Sequence, residues 1–208
     1  MERDPYRIGF ILVPGFALMS FASAVEPLRA ANLLAGRTLF DIRFFSSDAQ
    51  PVAASAGARI DTEPLPRKPD GLDALFVVAG GDPAGAAPPR ARGSPRGGPG
   101  GGGARPDAAL FSCLRRMARS GLTIGGISGG PYLLAAAGLL AGRRFTVHWE
   151  HASALMERWP DLHPERVRFV IDRDRITCGG GVAPLDLMHA LIEGREGADF
   201  ARAVSDWY

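Results

Sequence analysis

The sequence predicts an α/β fold in which helices cover both faces of a mostly parallel sheet. Short runs of consecutive apolar residues, typical of strands buried on both faces of such a sheet, alternate along the chain with segments of helical apolar spacing. The chain has 208 residues, 46% of them hydrophobic, which is enough for a sizeable core. We therefore expect one globular domain over residues 1–208.

In the first half of the chain, strands and helices alternate as this fold requires. The first buried strand, residues 7–13, is ended by Pro14 and Gly15, and a helix over residues 22–34 stops at Gly36. The remaining elements are two strands over residues 40–45 and 74–79, a hairpin over 52–60 and an amphipathic helix over 108–119.

Residues 84–106 are composed almost entirely of Gly, Ala, Pro and Arg. Such a segment cannot bury enough apolar area to offset its ordering entropy, so we expect a flexible surface insertion. A basic tether for nucleic acid is disfavoured because the segment has no interleaved aromatic residues to stack on bases. A frame error in GC-rich DNA is a third explanation, which the coding sequence would decide.

The most informative stretch is residues 122–134, where an apolar strand runs into a Gly-rich turn with Ser128 at its tip and an Ala/Leu helix behind it. The sequence Gly-Ile-Ser-Gly-Gly at residues 126–130 has the spacing of a nucleophile elbow, which lifts a side-chain oxygen over the positive end of a helix. The pattern predicts a place for chemistry or for a ligand. A crowded turn that accepts only small residues explains it equally well.

Strands and helices also alternate after the elbow. We expect a strand over residues 145–149, a helix over 150–158, a hairpin of strands over 168–172 and 175–178, and helices over 184–192 and 198–207. The last helix has no Gly, Asn or Pro stop signal before the chain ends at Tyr208, so the chain is expected to be interrupted within an element.

Composition and charge exclude several classes of function. The formal net charge of +2 is too small to indicate nucleic-acid binding, and four of the arginines lie in residues 84–106. Cys113 and Cys178 have no metal-binding spacing, and nothing near Met1 resembles a signal peptide or a membrane span. These observations favour a cytoplasmic protein without a membrane partner.

A nucleophilic Ser128 would need a histidine base and an orienting acid. Only His148 among the four histidines follows a predicted core strand, and no acidic residue lies between it and Ser128. The order therefore differs from the Ser, Asp, His order of α/β-hydrolases, and a serine hydrolase is disfavoured. His151, His163 and His189 are expected to be surface or capped histidines without metal-site spacing. We expect neither a metal nor a cofactor.

Two further polar side chains lie in apolar surroundings. Cys178 ends a predicted strand and is expected to be a buried, inert thiol. Glu26 interrupts an apolar helix face just before Pro27. Its carboxylate is either the cap and charge partner of a helix that begins near Pro27 or a group in a pocket, and the sequence leaves both open.

Several separated motifs resemble those of one known family. They are ILVPGF at residues 11–16, ASAVEPLRAAN at 22–32, GGISGGPYLLA at 125–135, AGLLAG at 137–142, TVHWEH at 146–151 and ITCGGGVAPLDLM at 176–188. Together they resemble the class I glutamine-amidotransferase-like domain of the DJ-1/PfpI superfamily. More narrowly, they resemble the amino-terminal sensor half of AraC-family regulators of glycine betaine, carnitine and arginine catabolism. The resemblance covers nearly the whole chain except residues 84–106 and implies a flavodoxin-like three-layer sandwich.

The resemblance also implies that catalysis has been lost. In catalytic members of the superfamily the elbow residue is a cysteine, and an acidic residue from the turn after the first strand contacts it. Here the elbow position is Ser128, and the position of the acid is Ser20. A serine hydroxyl without a base is a poor nucleophile at neutral pH. These departures imply a pocket that binds a ligand without turning it over.

We expect the ligand to be a small zwitterionic or cationic metabolite, such as a betaine or a basic amino acid. Its carboxylate would lie on the Ser128 hydroxyl and on the N–H groups behind Gly129, and its cationic end on aromatic walls. The candidate walls are Phe16, Tyr132, His148 and Trp149. The alternative for Tyr132 and Trp149 is that they are core aromatics.

The leading hypothesis is thus a non-catalytic, ligand-sensing domain of an AraC-type regulator. The resemblance implies that it forms a homodimer and that DNA is bound only by a helix-turn-helix domain, expected after Tyr208 and absent from this chain. The alternative is a stand-alone enzyme of the same superfamily, a hydrolase or hydratase that uses Ser128 with His148. A third hypothesis is an inactive product of a damaged gene.

Overall fold

The computed structural model describes residues 3–69, 71–81 and 108–208, so the predicted insertion at 84–106 lies outside the described residues. The described strands are β1 (Tyr6–Leu12), β2 (Phe40–Ser46), β3 (Val52–Ala53), β4 (Arg59–Ile60), β5 (Glu63–Pro64), β6 (Ala74–Ala79), β7 (Thr123–Ser128), β8 (Phe169–Asp172) and β9 (Arg175–Cys178). The described helices are α1 (Leu18–Ala35), α2 (Ala108–Arg119), α3 (Gly130–Ala136), α4 (Trp149–Arg158), α5 (Ala183–Glu196) and α6 (Ala198–Ser205).

The main sheet has seven strands in the order β5-β2-β1-β6-β7-β9-β8. All neighbours in it are parallel except β8 and β9, which form the predicted antiparallel hairpin. Strands β3 and β4 form a separate antiparallel ribbon. The parallel pairing brings the carboxyl ends of β1, β6, β7 and β9 to one edge of the sheet, which is where ligands bind in open α/β folds.

Helices pack on both faces of the sheet and give the molecule two cores. Helices α1, α5 and α6 cover one face, and α2, α3 and α4 cover the other. Successive side chains of a strand point to opposite faces. In β6, Phe76 and Val78 accordingly pack with the first group of helices, and Leu75 and Val77 with the second. The expected three-layer sandwich is confirmed.

The first helix is longer than the sequence predicts, because it begins at Leu18 rather than at Ala22. It ends where predicted, at Gly36, whose φ of 63° needs glycine and whose N–H donates to the carbonyl oxygen of Leu33. Within the described residues, no helix combines the length and the apolarity that crossing a membrane requires.

The strand predicted over residues 145–149 is wrong, because this segment pairs with no other strand. The N–H of Thr146 donates instead to the hydroxyl of Thr177 at 2.9 Å, and the Thr146 hydroxyl donates to the carbonyl oxygen of Glu165 at 2.8 Å. The segment is thus tied to β9 and to a loop through side chains. Its buried apolar residues, such as Phe145, produce the strand-like pattern.

Candidate functional site

The elbow predicted around Ser128 is present at the carboxyl end of β7. Ser128 has a φ of 60°, a conformation that few residues other than glycine adopt, and the chain then enters α3. A strained residue between a strand and a helix is typical of a nucleophile elbow and of other functional turns. The backbone therefore has the shape that the motif predicts.

The glycines of the elbow are required by packing. A Cβ atom on Gly130 would lie 2.1 Å from the carbonyl oxygen of Val77, and one on Gly126 would lie 2.6 Å from the backbone nitrogen of Pro131. Both obstacles are backbone atoms, which cannot move aside as a side chain can. Crowding alone explains these glycines, and they carry no information about chemistry.

The Ser128 side chain is enclosed by a second Gly-rich turn, residues 179–181. Ser128 is only 5% exposed, and a Cβ atom on Gly180 would lie 3.0 Å from its hydroxyl oxygen. The buried hydroxyl of Ser20 accepts a hydrogen bond of 2.8 Å from the N–H of Gly181. The structure thus brings Ser20 and Ser128 to the same turn, and Ser20 holds that turn in place.

His148 reaches the elbow through its backbone. Its N–H donates to the carbonyl oxygen of Ser128 at 3.4 Å, but no hydrogen bond joins the His148 ring to the Ser128 hydroxyl in the described residues. The Nδ1 atom of His148 is buried and has no hydrogen-bond partner within that part of the chain. A serine needs a base within hydrogen-bond reach to become a nucleophile, so this arrangement is not an activated pair.

A groove of about 1040 Å³ lies beside the elbow. It is lined by the start of α4, residues 164–168 and the turn at 179–182, and its lining does not include Ser128. Its apolar side chains are unusually exposed, Trp149 by 80% and Val182 and Val167 to a lesser degree. The groove therefore presents an aromatic face and aliphatic surface to solvent.

Residues 164–168 contribute charged side chains to the lining of the groove. Arg168 pairs with Asp186 at 2.6 Å, and Glu165 receives two hydrogen bonds from Arg144, which hold its pKa below the ordinary value. Arg166 is exposed and forms no ion pair within the described residues. The groove thus offers one cation that the described chain does not neutralise.

Comparison with known proteins places this fold and site in a family. The pattern of the DJ-1/PfpI family matches residues 97–194. Isonitrile hydratase of Pseudomonas putida is 33% identical over 203 residues, which are 95% of this chain and 75% of the hydratase. The chain belongs to the DJ-1/PfpI family. The resemblance stated from the sequence motifs is confirmed.

Regulatory proteins are also among the relatives of this DJ-1/PfpI domain. The HTH-type transcriptional regulator GlxA of Rhizobium meliloti (strain 1021) is 50% identical over 207 residues, which are 100% of this chain and 58% of GlxA. The crystal structure of an AraC family transcriptional regulator from Pseudomonas putida superposes with a TM-score of 0.78 at 26% identity, over 97% of this chain and 98% of that chain. The chain spans about half the length of the curated regulators it matches.

Two of the aromatic walls predicted for the pocket lie in the core of the DJ-1/PfpI domain instead. Tyr132 is 1% exposed and packs edge-on against Trp159, with ring centroids 5.2 Å apart. Phe16 is fully buried and packs edge-on against Phe21, also at 5.2 Å. The expectation is corrected for both, because each ring fills space between the sheet and its helices, and for Tyr132 the stated alternative of a core aromatic is the one observed. Trp149 is the opposite case and stands exposed in the groove.

Glu26 is not a helix cap, and it does not line the groove beside the elbow. Helix α1 begins at Leu18, so Glu26 lies inside it, where it accepts a hydrogen bond of 2.8 Å from Arg29 one turn further on. Cys178 is fully buried, and desolvation raises the pKa of its thiol to about 11, which is consistent with an inert thiol.

Sequence reasoning missed the three-residue cluster of His148, Glu150 and His151. One potential ligand atom from each residue lies within 4.8 Å of the others, which corrects the expectation that no histidine and carboxylate are spaced for a metal. The signal was available in the order His-x-Glu-His, because the first turn of a helix brings such residues together. Arg166 was also missed, since a single exposed arginine has no distinguishing pattern.

Proposed function

We propose that this domain is a non-catalytic sensor that binds a small zwitterionic or cationic metabolite and controls a DNA-binding domain carried elsewhere in the protein. The observation that carries the proposal is the contrast between an enclosed elbow and an open groove, in which Trp149 is exposed and Arg166 has no ion pair within the described residues. The regulators among its relatives support the regulatory role.

The surroundings of Ser128 support the proposal that the domain is not catalytic. The elbow hydroxyl has no base within hydrogen-bond reach in the described residues, and Gly180 packs against it. Ser20 stands at the position that the family resemblance assigns to an acid, and its hydroxyl is engaged by Gly181. Only 5% of Ser128 is exposed, so a substrate has little access to it while the turn at 179–181 keeps its position.

The groove suits a ligand with one cationic and one anionic end. A quaternary ammonium or guanidinium group on the face of Trp149 contributes about 1–2 kcal/mol once it is desolvated. A carboxylate on Arg166 adds a charge-assisted hydrogen bond of about 1.5–3 kcal/mol. We therefore place the carboxylate on Arg166 rather than on Ser128 and the N–H groups behind Gly129. Micromolar to millimolar affinity is the range that such contacts produce.

The experiment is a thermal-shift and calorimetric panel of betaines, carnitine, basic amino acids and related metabolites. At 100 times Kd, a ligand that binds only the folded state stabilises it by about 2.7 kcal/mol, which raises the Tm measurably. Trp149→Ala and Arg166→Ala should each weaken binding at least tenfold. The matched controls, Trp207→Ala and Arg202→Ala, change exposed residues outside the groove lining and should bind as the parent protein does. Binding that survives both groove variants would refute the proposed site.

We further propose that the domain forms a homodimer and does not bind DNA by itself. The formal net charge of +2 is too small to attract a duplex strongly. Sedimentation at micromolar concentration should give twice the mass of one chain, and a labelled duplex should show no specific, salt-sensitive binding. A monomer under these conditions would contradict the proposed homodimer. Specific binding of the duplex would contradict the proposal that this domain does not bind DNA by itself.

A hydratase is the second candidate, because isonitrile hydratase is 33% identical over most of both chains. Ser128 would then act with His148 after the turn at 179–181 had moved. Incubation with an isonitrile, followed by measurement of the formamide product, tests this candidate. We expect no product, whereas turnover that Ser128→Ala abolishes without loss of the fold would replace the sensor proposal with the enzyme.

A further inference from the structure

We propose that His148, Glu150 and His151 form a binding site for a divalent transition-metal ion such as Zn²⁺, Co²⁺ or Ni²⁺. The three side chains each direct one potential ligand atom into a space where these atoms lie within 4.8 Å of one another. The inference goes beyond the sensor proposal, because a metal can bind here whether or not the groove binds a metabolite.

The local backbone brings the three residues together. His148 is the N-cap of α4, with an extended backbone (φ −55°, ψ 134°), and Glu150 and His151 belong to the first helical turn. The N–H of His151 donates to the carbonyl oxygen of His148 at 2.9 Å and closes this turn. The imidazole rings of His148 and His151 consequently lie on the same side, with centroids 5.6 Å apart.

The distances are close to those of an occupied site. Ligand atoms bonded at about 2.0–2.2 Å in a tetrahedral site lie roughly 3.3–3.6 Å from one another. The Nδ1 atom of His148 is already 3.8 Å from a carboxylate oxygen of Glu150. Glu150 is exposed and its side chain can rotate, so metal binding requires side-chain adjustments within this turn and no rearrangement of the backbone.

An independent observation also favours a ligand at this position. The Nδ1 atom of His148 is buried but has no hydrogen-bond partner in residues 3–69, 71–81 and 108–208. Buried polar atoms are nearly always satisfied, and an atom that is not satisfied requires a physical reason. A bound metal would supply the missing partner of a neutral imidazole nitrogen.

The donor set selects the type of metal. Two imidazole nitrogens and one carboxylate oxygen suit Zn²⁺ and its neighbours in the first transition series, whereas Ca²⁺ and Mg²⁺ prefer all-oxygen sites. Three protein ligands leave a coordination position open. Because His148 also lines the groove, that position is accessible to water or to an anionic group in the groove.

The experiment uses the tag-free chain, first freed of metal with a chelator. Equilibrium dialysis against Zn²⁺ should give one bound ion per chain, and Co²⁺ should produce visible absorption of a low-symmetry site. Trp149 is a local reporter, because its ring lies 5.5 Å from the His148 ring. Bound Co²⁺ should quench its fluorescence, and Trp149→Phe should remove the quenching but leave the stoichiometry unchanged.

His148→Ala and Glu150→Gln should each weaken Zn²⁺ binding at least tenfold. The matched control is His189→Ala, because His189 also lies 3.8 Å from a carboxylate oxygen, that of Glu193, but belongs to no group of three potential metal ligands within the described residues. This variant should bind Zn²⁺ as the parent does. Absence of stoichiometric Zn²⁺ binding, or binding that His148→Ala and Glu150→Gln leave intact, overturns the proposal. Circular dichroism of each variant shows that the fold is retained.

Discussion

The elbow and the groove are neighbours with opposite properties. At the elbow, Ser128 is nearly inaccessible, Gly180 packs against it and the hydroxyl of Ser20 is engaged by Gly181. In the groove, Trp149 is largely exposed and Arg166 forms no ion pair within the described chain. The most informative sequence motif therefore marks the enclosed region, whereas residues 164–168 of the groove, which include Arg166, lie outside every motif that the sequence offers.

This difference is what we expect if the chain uses the family's architecture without its chemistry. The glycines of the elbow are required by the packing of β6, β7 and α3. An intact elbow is thus evidence of a preserved fold and is weak evidence of an active enzyme. Function must be argued from the side chains that a ligand can reach.

The largest effect is expected from Gly130→Ala, which tests whether packing alone explains the elbow glycines. The new methyl group would meet the carbonyl oxygen of Val77, so the free energy of unfolding should fall by about 3 kcal/mol or more. Gly194→Ala is the matched control, because α5 leaves open space around Gly194, and it should be neutral or stabilising by about 0.5–1 kcal/mol. Denaturant unfolding measures the free energy of unfolding of both variants. Equal changes in Gly130→Ala and Gly194→Ala would contradict the packing explanation.

A smaller effect is expected from Ser20→Ala. Removal of the hydroxyl leaves the N–H of Gly181 without its acceptor, which should cost about 1–3 kcal/mol of stability. The control is Ser23→Ala, on the same helix, where no side-chain hydrogen bond within the described residues is lost. Chemical denaturation of both variants gives the comparison. If the two variants are equally stable, Ser20 does not hold the turn over the elbow.

Ser128→Cys should change stability by less than about 1 kcal/mol, since the two side chains have similar size. It should also fail to produce hydrolase, amidase or glyoxalase activity, because Ser20 still lacks a carboxylate and Gly180 still packs against position 128. Steady-state assays with purified protein provide the measurement. Activity in this variant would show that the elbow is accessible and would remove the contrast with the groove.

The smallest effect concerns the ion pair at the edge of the groove. Hydrogen bonds from Arg144 lower the pKa of Glu165, so the pair stabilises the folded state above the ordinary glutamate pKa of about 4.3. This contribution is lost as the pH falls through the lowered pKa. The stability difference between the parent and Glu165→Gln should therefore shrink from pH 6 to pH 3. Asp161→Asn, at an exposed residue without an ion pair in the described residues, should show no such change.

The sequence predicts most of the fold because apolar periodicity is a local property. The helix predicted over residues 108–119 has those bounds in the structure, and the strand before Ser128 ends where expected. The strand predicted over 145–149 is wrong because side-chain hydrogen bonds, such as that to Thr177, cannot be read from periodicity. The prediction that Tyr132 lines the pocket is wrong for a related reason. The apolar pattern of residues 130–136 does not say which face of that helix meets the core.

The groove could be predicted only in part. Its walls come from three segments, at residues 146–156, 164–168 and 179–182, that only the folded chain brings together. His148 and Trp149 were identified because they follow a buried segment near the elbow. Arg166 and Val182 were not, because exposed arginine and valine residues are common and become informative only when their neighbours are known.

The most direct test of the sensor account is a calorimetric titration of one zwitterionic ligand from the panel into Ser128→Ala and Trp149→Ala in parallel. If the groove is the binding site and the elbow is enclosed, Ser128→Ala should bind with the affinity of the parent chain. Trp149→Ala should bind at least tenfold more weakly. The reverse result, with binding lost in Ser128→Ala and retained in Trp149→Ala, would contradict the account.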